Sequence, residues 1–151
     1  MREYEVRQIN NLFNFNLNIL VKQSKEEGFR FVERLVNDYK NGTNTFNNWG
    51  EAIFGVFNEK GEMVAIGGLN KDPYSNKQYI GRLRRFYVSK EYRRKGIGRL
   101  LLKRIIDEAK KYYKILVLHT DTKQADNFYT SFGFSKENLY QNTTHYVELE
   151  N

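Results

Sequence analysis

Residues 80 to 132 switch three times between the two periods that secondary structure imposes on a sequence, and no other stretch limits the possible folds as much. Ile80 to Val88 reads as a strand. From Ile97 the apolar residues Leu101, Ile105 and Ala109, with Leu102 and Ile106 beside them, recur at helical spacing, leaving Lys103, Asp107 and Lys110 for solvent. Lys114 to His119 reads as a buried strand and 123 to 132 as a short helix. Strand-rich flanks around this strand, helix, strand, helix run imply an α/β fold, a mixed, mostly antiparallel central sheet flanked by helices.

Upstream, Tyr4 to Ile9 alternates like an edge strand, and helical stretches follow over about 11 to 24 and 26 to 40, the second stopped by Asn41-Gly42. Ala52 to Phe57 and Met63 to Leu69 flank the polar turn Asn58-Glu59-Lys60-Gly61 and form a hairpin. Residues 71 to 79, with the only proline at Pro73, form a loop, and two more strands are expected from Phe134 onward and over His145 to Glu150. The aromatic residues Phe13, Phe15, Phe29 and Phe31 are expected as core and pocket lining.

The chain of 151 residues suits one domain over 1–151, large enough to bury roughly two thirds of its unfolded surface. It has no cysteine and two histidines, so disulfides and thiolate catalysis are excluded and no metal site is expected. There is no apolar window of about 18 residues and no basic-then-apolar leader, so a cytoplasmic location is expected. The net charge is +7, and it is concentrated. Residues 82 to 114 hold 13 Lys/Arg against 3 Asp/Glu, while the rest of the chain holds 12 against 15. A localised excess of this kind fits a phosphorylated small partner better than a long polyanion, and no base-reading module accompanies it.

The centre of that charge is Arg93-Arg94-Lys95-Gly96-Ile97-Gly98-Arg99, between the strand and the long helix. Gly96 and Gly98 let a ligand approach the backbone, and the first amides of a helix lack intrahelical acceptors. With the helix dipole and three preceding cations, phosphate is the natural guest. Two familiar phosphate loops do not fit. Leu101 stands where the dinucleotide fingerprint needs a third glycine, which leaves Asp121 as a decoy for its ribose-binding acid, and Gly98 is followed by Arg99-Leu100 where a P-loop needs Lys and Ser/Thr.

Arg93, Gly96 and Gly98 instead match Gln/Arg-x-x-Gly-x-Gly/Ala, and the segment resembles the acyl-CoA-binding motif of the GNAT superfamily of N-acetyltransferases. The resemblance runs from Gly67 to Phe134 and takes in Tyr87-Val88, Ala125-x-x-Phe128-Tyr129 and Gly133-Phe134. It implies the GNAT-like acyl-CoA N-acyltransferase fold and acetyl-CoA as acyl donor. It further implies that amides from Arg94 to Arg99 hold the pyrophosphate, with Arg93, Lys95, Gly96, Ile97 and Gly98 in the same turn. Phe86, Tyr87 and Val88 would pair with the pantetheine arm, an amide near Val88 would polarise the thioester carbonyl, and Ala125 and Phe128 would complete the cofactor wall. Tyr129 takes the place of the general acid for the departing thiolate. Thr122 stands where the family often has Asn, so that contact does not carry over.

Glu51, Asp72 and His145 are the candidate general bases, and Asn70, Asp72, Arg82, Arg84 and His145 the candidate acceptor-site residues. The expected reaction is acetyl transfer to a primary amine by direct attack in a ternary complex. The acceptor is a small molecule or a peptide, with neither membrane nor nucleic acid as partner, and a homodimer stays open. A non-catalytic CoA-binding or sensing domain and a nucleic-acid binder stand as the alternatives.

Overall fold

A computed structural model describes residues 3–150. Seven strands form one sheet: β1 (Glu5–Ile9), β2 (Ala52–Phe57), β3 (Met63–Lys71), β4 (Ile80–Val88), β5 (Ile115–Leu118), β6 (Ser135–Lys136) and β7 (His145–Glu148). Their spatial order is β1-β2-β3-β4-β5-β7-β6, and every pair is antiparallel except β4 with β5. The helices are α1 (Asn18–Glu26), α2 (Phe31–Asn41), α3 (Ile97–Ala109) and α4 (Lys123–Phe132). This is the mixed α/β architecture expected, with β1 at an edge.

The sheet has a core on each face. On one, the α3 stripe Ile97, Leu101, Leu102 and Ile105 packs on Phe54, Val56, Leu69 and Leu83, with Tyr129 and Phe134 joining from the α4 end. On the other, Leu20 of α1 and Val32 and Leu35 of α2 cover Ile53, Ile66 and Tyr87. Fully burying a side chain of this size is worth roughly 1.5–3 kcal/mol, so these stripes fix which face each helix presents. Gly68 and Gly81 serve the packing: a Cβ there would lie 2.4 Å from the Phe46 ring or 2.5 Å from the Tyr113 ring.

The N-terminal helices differ from the expectation. In place of one helix over 11 to 24, Leu12–Asn14 forms a 3-10 turn and α1 begins only at Asn18. Asn11 and Asn16 explain the break, since their side-chain oxygens accept from the Phe13 and Asn18 amides and compete with helical pairing. The second helix starts at Phe31 and not at 26, because α1 runs to Glu26 and Gly28 then takes φ +87°. Gly42, left-handed at φ +81°, ends it as expected. Phe13 is 64% exposed and belongs to no core, whereas Phe15, Phe29 and Phe31 pack on the α1/α2 side. On α3, Lys103 and Asp107 are exposed and paired, while Lys110 is half-buried.

β3 reaches Lys71, two residues past its expected end, because Asn70 and Lys71 pair with Arg82 and Gly81. β5 is one residue shorter at each end than expected, and the strand expected from Phe134 is the two-residue β6.

Candidate active site

Two departures from regular pairing open the centre of the sheet. β4 and β5 pair only over Ile80 to Arg82 against Ile115 to Val117, yet β4 continues to Val88. The two parallel strands therefore separate, and β4 from Leu83 onward has no partner on that side. The second departure is a bulge against β3: Gly68 faces Arg84 but Ile66 faces Tyr87, so β4 carries one residue more than its partner. Arg85 takes up the difference at φ +59°.

The ladder then decides which backbone groups face the opening. The Ser89 amide donates to Val64, and antiparallel pairing alternates, so Val88 turns its own N–H and C=O away from β3. Arg93 Nε takes that carbonyl at 3.0 Å. The Val88 N–H is left facing the gap between β4 and β5.

α3 begins where this gap widens. Arg94 and Gly96 have φ +63° and +79°, a left-handed alternation that folds the turn over the helix start. Leu100 is the first residue whose amide bonds back, to the Gly96 carbonyl, and no side chain caps the helix. The amides of Ile97, Gly98 and Arg99 are therefore unsatisfied within it, and no acidic residue occupies the first turn. A Cβ at Gly96 would meet nothing within 4 Å, so the approach is open, whereas one at Gly98 would lie 3.2 Å from the Phe128 ring. Gly98 lets α3 press against α4; Gly96 sets the turn.

A cavity of about 770 Å³ joins these features. Its walls include Phe86, Tyr87 and Val88 of β4, Arg94, Gly96, Gly98 and Arg99 of the turn, and Ala125, Phe128 and Tyr129 of α4. Phe29, Phe31, Arg34, Tyr74, Arg82, Arg84 and Arg85 line it too, and His119 and Asp121 stand just past the end of β5. Three free amides, two arginines and an approach without side chains suit a pyrophosphate, and the unpaired β4 edge suits an extended amide-bearing arm. The residues present fit coenzyme A.

Tyr129 is 6% exposed, packed edge-on among Phe86, Phe128 and Phe134. Burial alone pushes its phenol well above the ordinary tyrosine range, with no hydrogen bond contributing. The hydroxyl therefore stays protonated at neutral pH and unengaged by the described residues. Thr122, in the place of the family's Asn, caps α4 by accepting from the Ala125 amide.

Arg93 differs from the free phosphate-binding cation that its position implied. Its guanidinium donates to both Glu27 carboxylate oxygens at 2.7 and 2.8 Å, and Tyr87 donates its hydroxyl to the same carboxylate. Burial pushes the Glu27 carboxyl up, but the hydrogen bonds from Arg93 and Tyr87 outweigh it and hold the pKa below the usual range. The pair straps α1 to the end of β4. Lys95 lies off the cavity with its ammonium over the Tyr92 ring, and the Ile97 side chain is core, leaving its amide as the relevant group.

Three acceptor-site residues read from the sequence are elsewhere. Asn70, 3% exposed, is bonded to Asn44 and Glu51. Asp72, 2% exposed, accepts from Arg82 Nε at 2.7 Å. His145, 1% exposed, lies between Asp126 and Thr144, both 2.7 Å away. None lines the cavity, and neither does Glu51, so no expected general base stands on its wall. Arg82 and Arg84 do line it, though Arg82 spends its donors on Asp72, Thr143 and the carbonyls of Gln141 and Asn142. Among the lining residues, His119 and Asp121 are the ordinary proton acceptors.

Residues 17–134 match the acetyltransferase (GNAT) family. The chain belongs to it. A crystal structure of a putative acetyltransferase from an Exiguobacterium species is 33% identical, with 97% of this chain and 94% of that one covered at a TM-score of 0.86. The GNAT fold is shared at lower identity with the ribosomal-protein-S18-alanine N-acetyltransferase of Escherichia coli, 18% identical over 98% and 95% of the two chains at a TM-score of 0.68. It is shared also with an Escherichia coli GNAT family N-acetyltransferase in complex with CoA, 13% identical over 98% and 82% at 0.70.

Glu27, Arg34, Arg85 and His119 were not found by sequence reasoning. Arg85 had a signal: two adjacent arginines break the alternation of a strand, as a bulge requires. Glu27 had none, since its partner Arg93 is 66 residues away.

Proposed function

We propose that this GNAT protein transfers an acetyl group from acetyl-CoA to a primary amine by direct attack within a ternary complex. The observation that carries the reading is one cavity in which the unsatisfied amides of α3, the splayed edge of β4 and the Tyr129 hydroxyl all meet. In this reading the amides of Ile97, Gly98 and Arg99, with Arg94 and Arg99, hold the pyrophosphate. The Val88 N–H donates to the thioester carbonyl, where negative charge grows as the amine attacks. The new C–N bond forms, the C–S bond breaks, and Tyr129 gives its proton to the departing sulfur. The amine's proton leaves through water, with His119 and Asp121 on the wall to receive it. CoA in the Escherichia coli relative is consistent with this donor.

A second reading, a CoA-binding domain without catalysis, has one observation in its favour: Glu51, Asp72 and His145 all lie off the cavity. Two measurements decide. Calorimetry with acetyl-CoA at low salt is expected to show saturable binding, and no heat would overturn both readings. An amine screen that reads thiol release is expected to find turnover; binding without release from any amine would leave the second.

A further inference from the structure

The β4 bulge also gathers charge. In a regular strand Arg84 and Arg85 would point to opposite faces. With the extra residue, Arg85 reaches α2, its Nη2 3.6 Å from Asp38 Oδ2, while Arg84 lines the cavity at the same level. Arg34 lies one helical turn before Asp38 and also lines the cavity. Three arginines thus neighbour one another, and among the described residues the Asp38 carboxylate pairs with Arg85 alone. Arg85 has a side chain only 14% exposed, and its ion pair with Asp38 is the cluster's only one among the described residues. Burial lowers the Arg85 pKa, repulsion from Arg84 and Arg34 lowers it further, and Asp38 offsets only part of this.

The other cavity arginines are accounted for. Arg82 and Arg93 are tied to protein acceptors through all three guanidinium nitrogens, and Arg94 and Arg99 stand at the α3 N-terminus. That terminus follows Val88, four residues and about 13 Å along β4 from Arg84. The cluster is therefore a second, separate demand for negative charge, at the end away from the pyrophosphate cradle.

We propose that the acceptor is a primary amine that also carries an oxyanion, carboxylate or phosphate, and that Arg34, Arg84 and Arg85 bind it. The proposal rests on the N-acetyltransferase reading, because it assigns the acceptor's place in that reaction. It excludes polyamines as the preferred acceptor, since a second cation would face three guanidinium groups across a partly dehydrated cavity. It also explains the strain at Arg85: the bulge directs adjacent arginines to one side of the sheet.

The test is calorimetric titration of the CoA-saturated protein with glutamate, O-phosphoethanolamine and spermidine. Glutamate or O-phosphoethanolamine is expected to bind, the stronger of the two separating carboxylate from phosphate, and spermidine is expected to give no heat. The double variant Arg34→Gln, Arg84→Gln should weaken the anionic amine at least tenfold, with CoA affinity and melting temperature unchanged. If the double variant loses stability, each single variant should weaken binding about threefold. Binding by neither anionic amine, tighter binding of spermidine, or an affinity untouched by the variants overturns the proposal. Thiol release separates the two claims. Release with cationic amines alone removes the anion site and leaves the transferase, whereas anion binding without release from any amine does the reverse.

Discussion

Tyr129 is the residue on which the proposed chemistry turns, and its environment defines the contribution. The burial that makes its phenolate costly makes an unsolvated thiolate leaving group costly as well, so a proton donor at that spot is most useful when sulfur departs. Tyr129→Phe keeps the ring among Phe86, Phe128 and Phe134 and removes only the hydroxyl. Turnover is expected to fall by roughly 10²–10⁴ while calorimetric affinity for acetyl-CoA holds. Because the pKa is raised, the donor form persists above the ordinary tyrosine value of about 10, so loss of the Tyr129 proton should cause no decline in turnover up to that pH. Turnover surviving in Tyr129→Phe removes the residue from the mechanism. At this scale the motif picks out Tyr129, Gly96 and Gly98 from local spacing, and all three line the cavity. The Glu27 partner of Arg93, 66 residues away in sequence, is invisible to it.

At the scale of elements, the site depends on how α3 starts and on what holds that start in place. Gly96 takes φ +79°, so Gly96→Ala costs about 1–2 kcal/mol and sets a methyl group at the open approach to the free amides. Acetyl-CoA affinity is expected to fall more than tenfold with a drop in melting temperature of only a few degrees. Unchanged affinity would show that the cradle is elsewhere. The Glu27 strap makes a pH-dependent contribution. Its folded pKa lies below the unfolded value of about 4.3, so the stabilisation is complete above that value and disappears as pH falls through the lower folded one. The urea-unfolding difference between wild type and Glu27→Gln should therefore be constant from pH 7 to about 5 and shrink toward pH 3; a constant difference throughout would contradict the assignment. The periodic elements were legible in sequence because periodicity reports which face is buried. The true starts of α1 and α2 were not, because Asn11, Asn16 and Gly28 act through side-chain hydrogen bonds and backbone angle, which leave the apolar pattern untouched.

For the whole molecule, the sheet order brings together polar segments that are far apart in the sequence. Asp72 and Arg82 are buried, and their ion pair, with the Arg82 donors to Gln141, Asn142 and Thr143, ties the β3–β4 corner to the loop before β7. Polar residues in a glycine-rich stretch look the same in sequence whether they line a pocket or seal a corner. Burial separates the two cases, and burial depends on which strand comes to lie beside β4. The corner also bears on function, since Arg82 forms part of the cavity floor and cannot turn to a ligand without abandoning four partners. Removing one member of a buried pair leaves the other uncompensated, at roughly 3–5 kcal/mol. Asp72→Ala is therefore expected to lower the melting temperature by about 10 °C, whereas Asp121→Ala, at an exposed carboxylate on the same cavity, should change it by less than about 2 °C. If Asp72 were instead an acceptor ligand or the general base, its removal would abolish turnover in protein that melts normally. Thermal unfolding and thiol release measured on the same Asp72→Ala preparation distinguish a structural corner from a catalytic carboxylate.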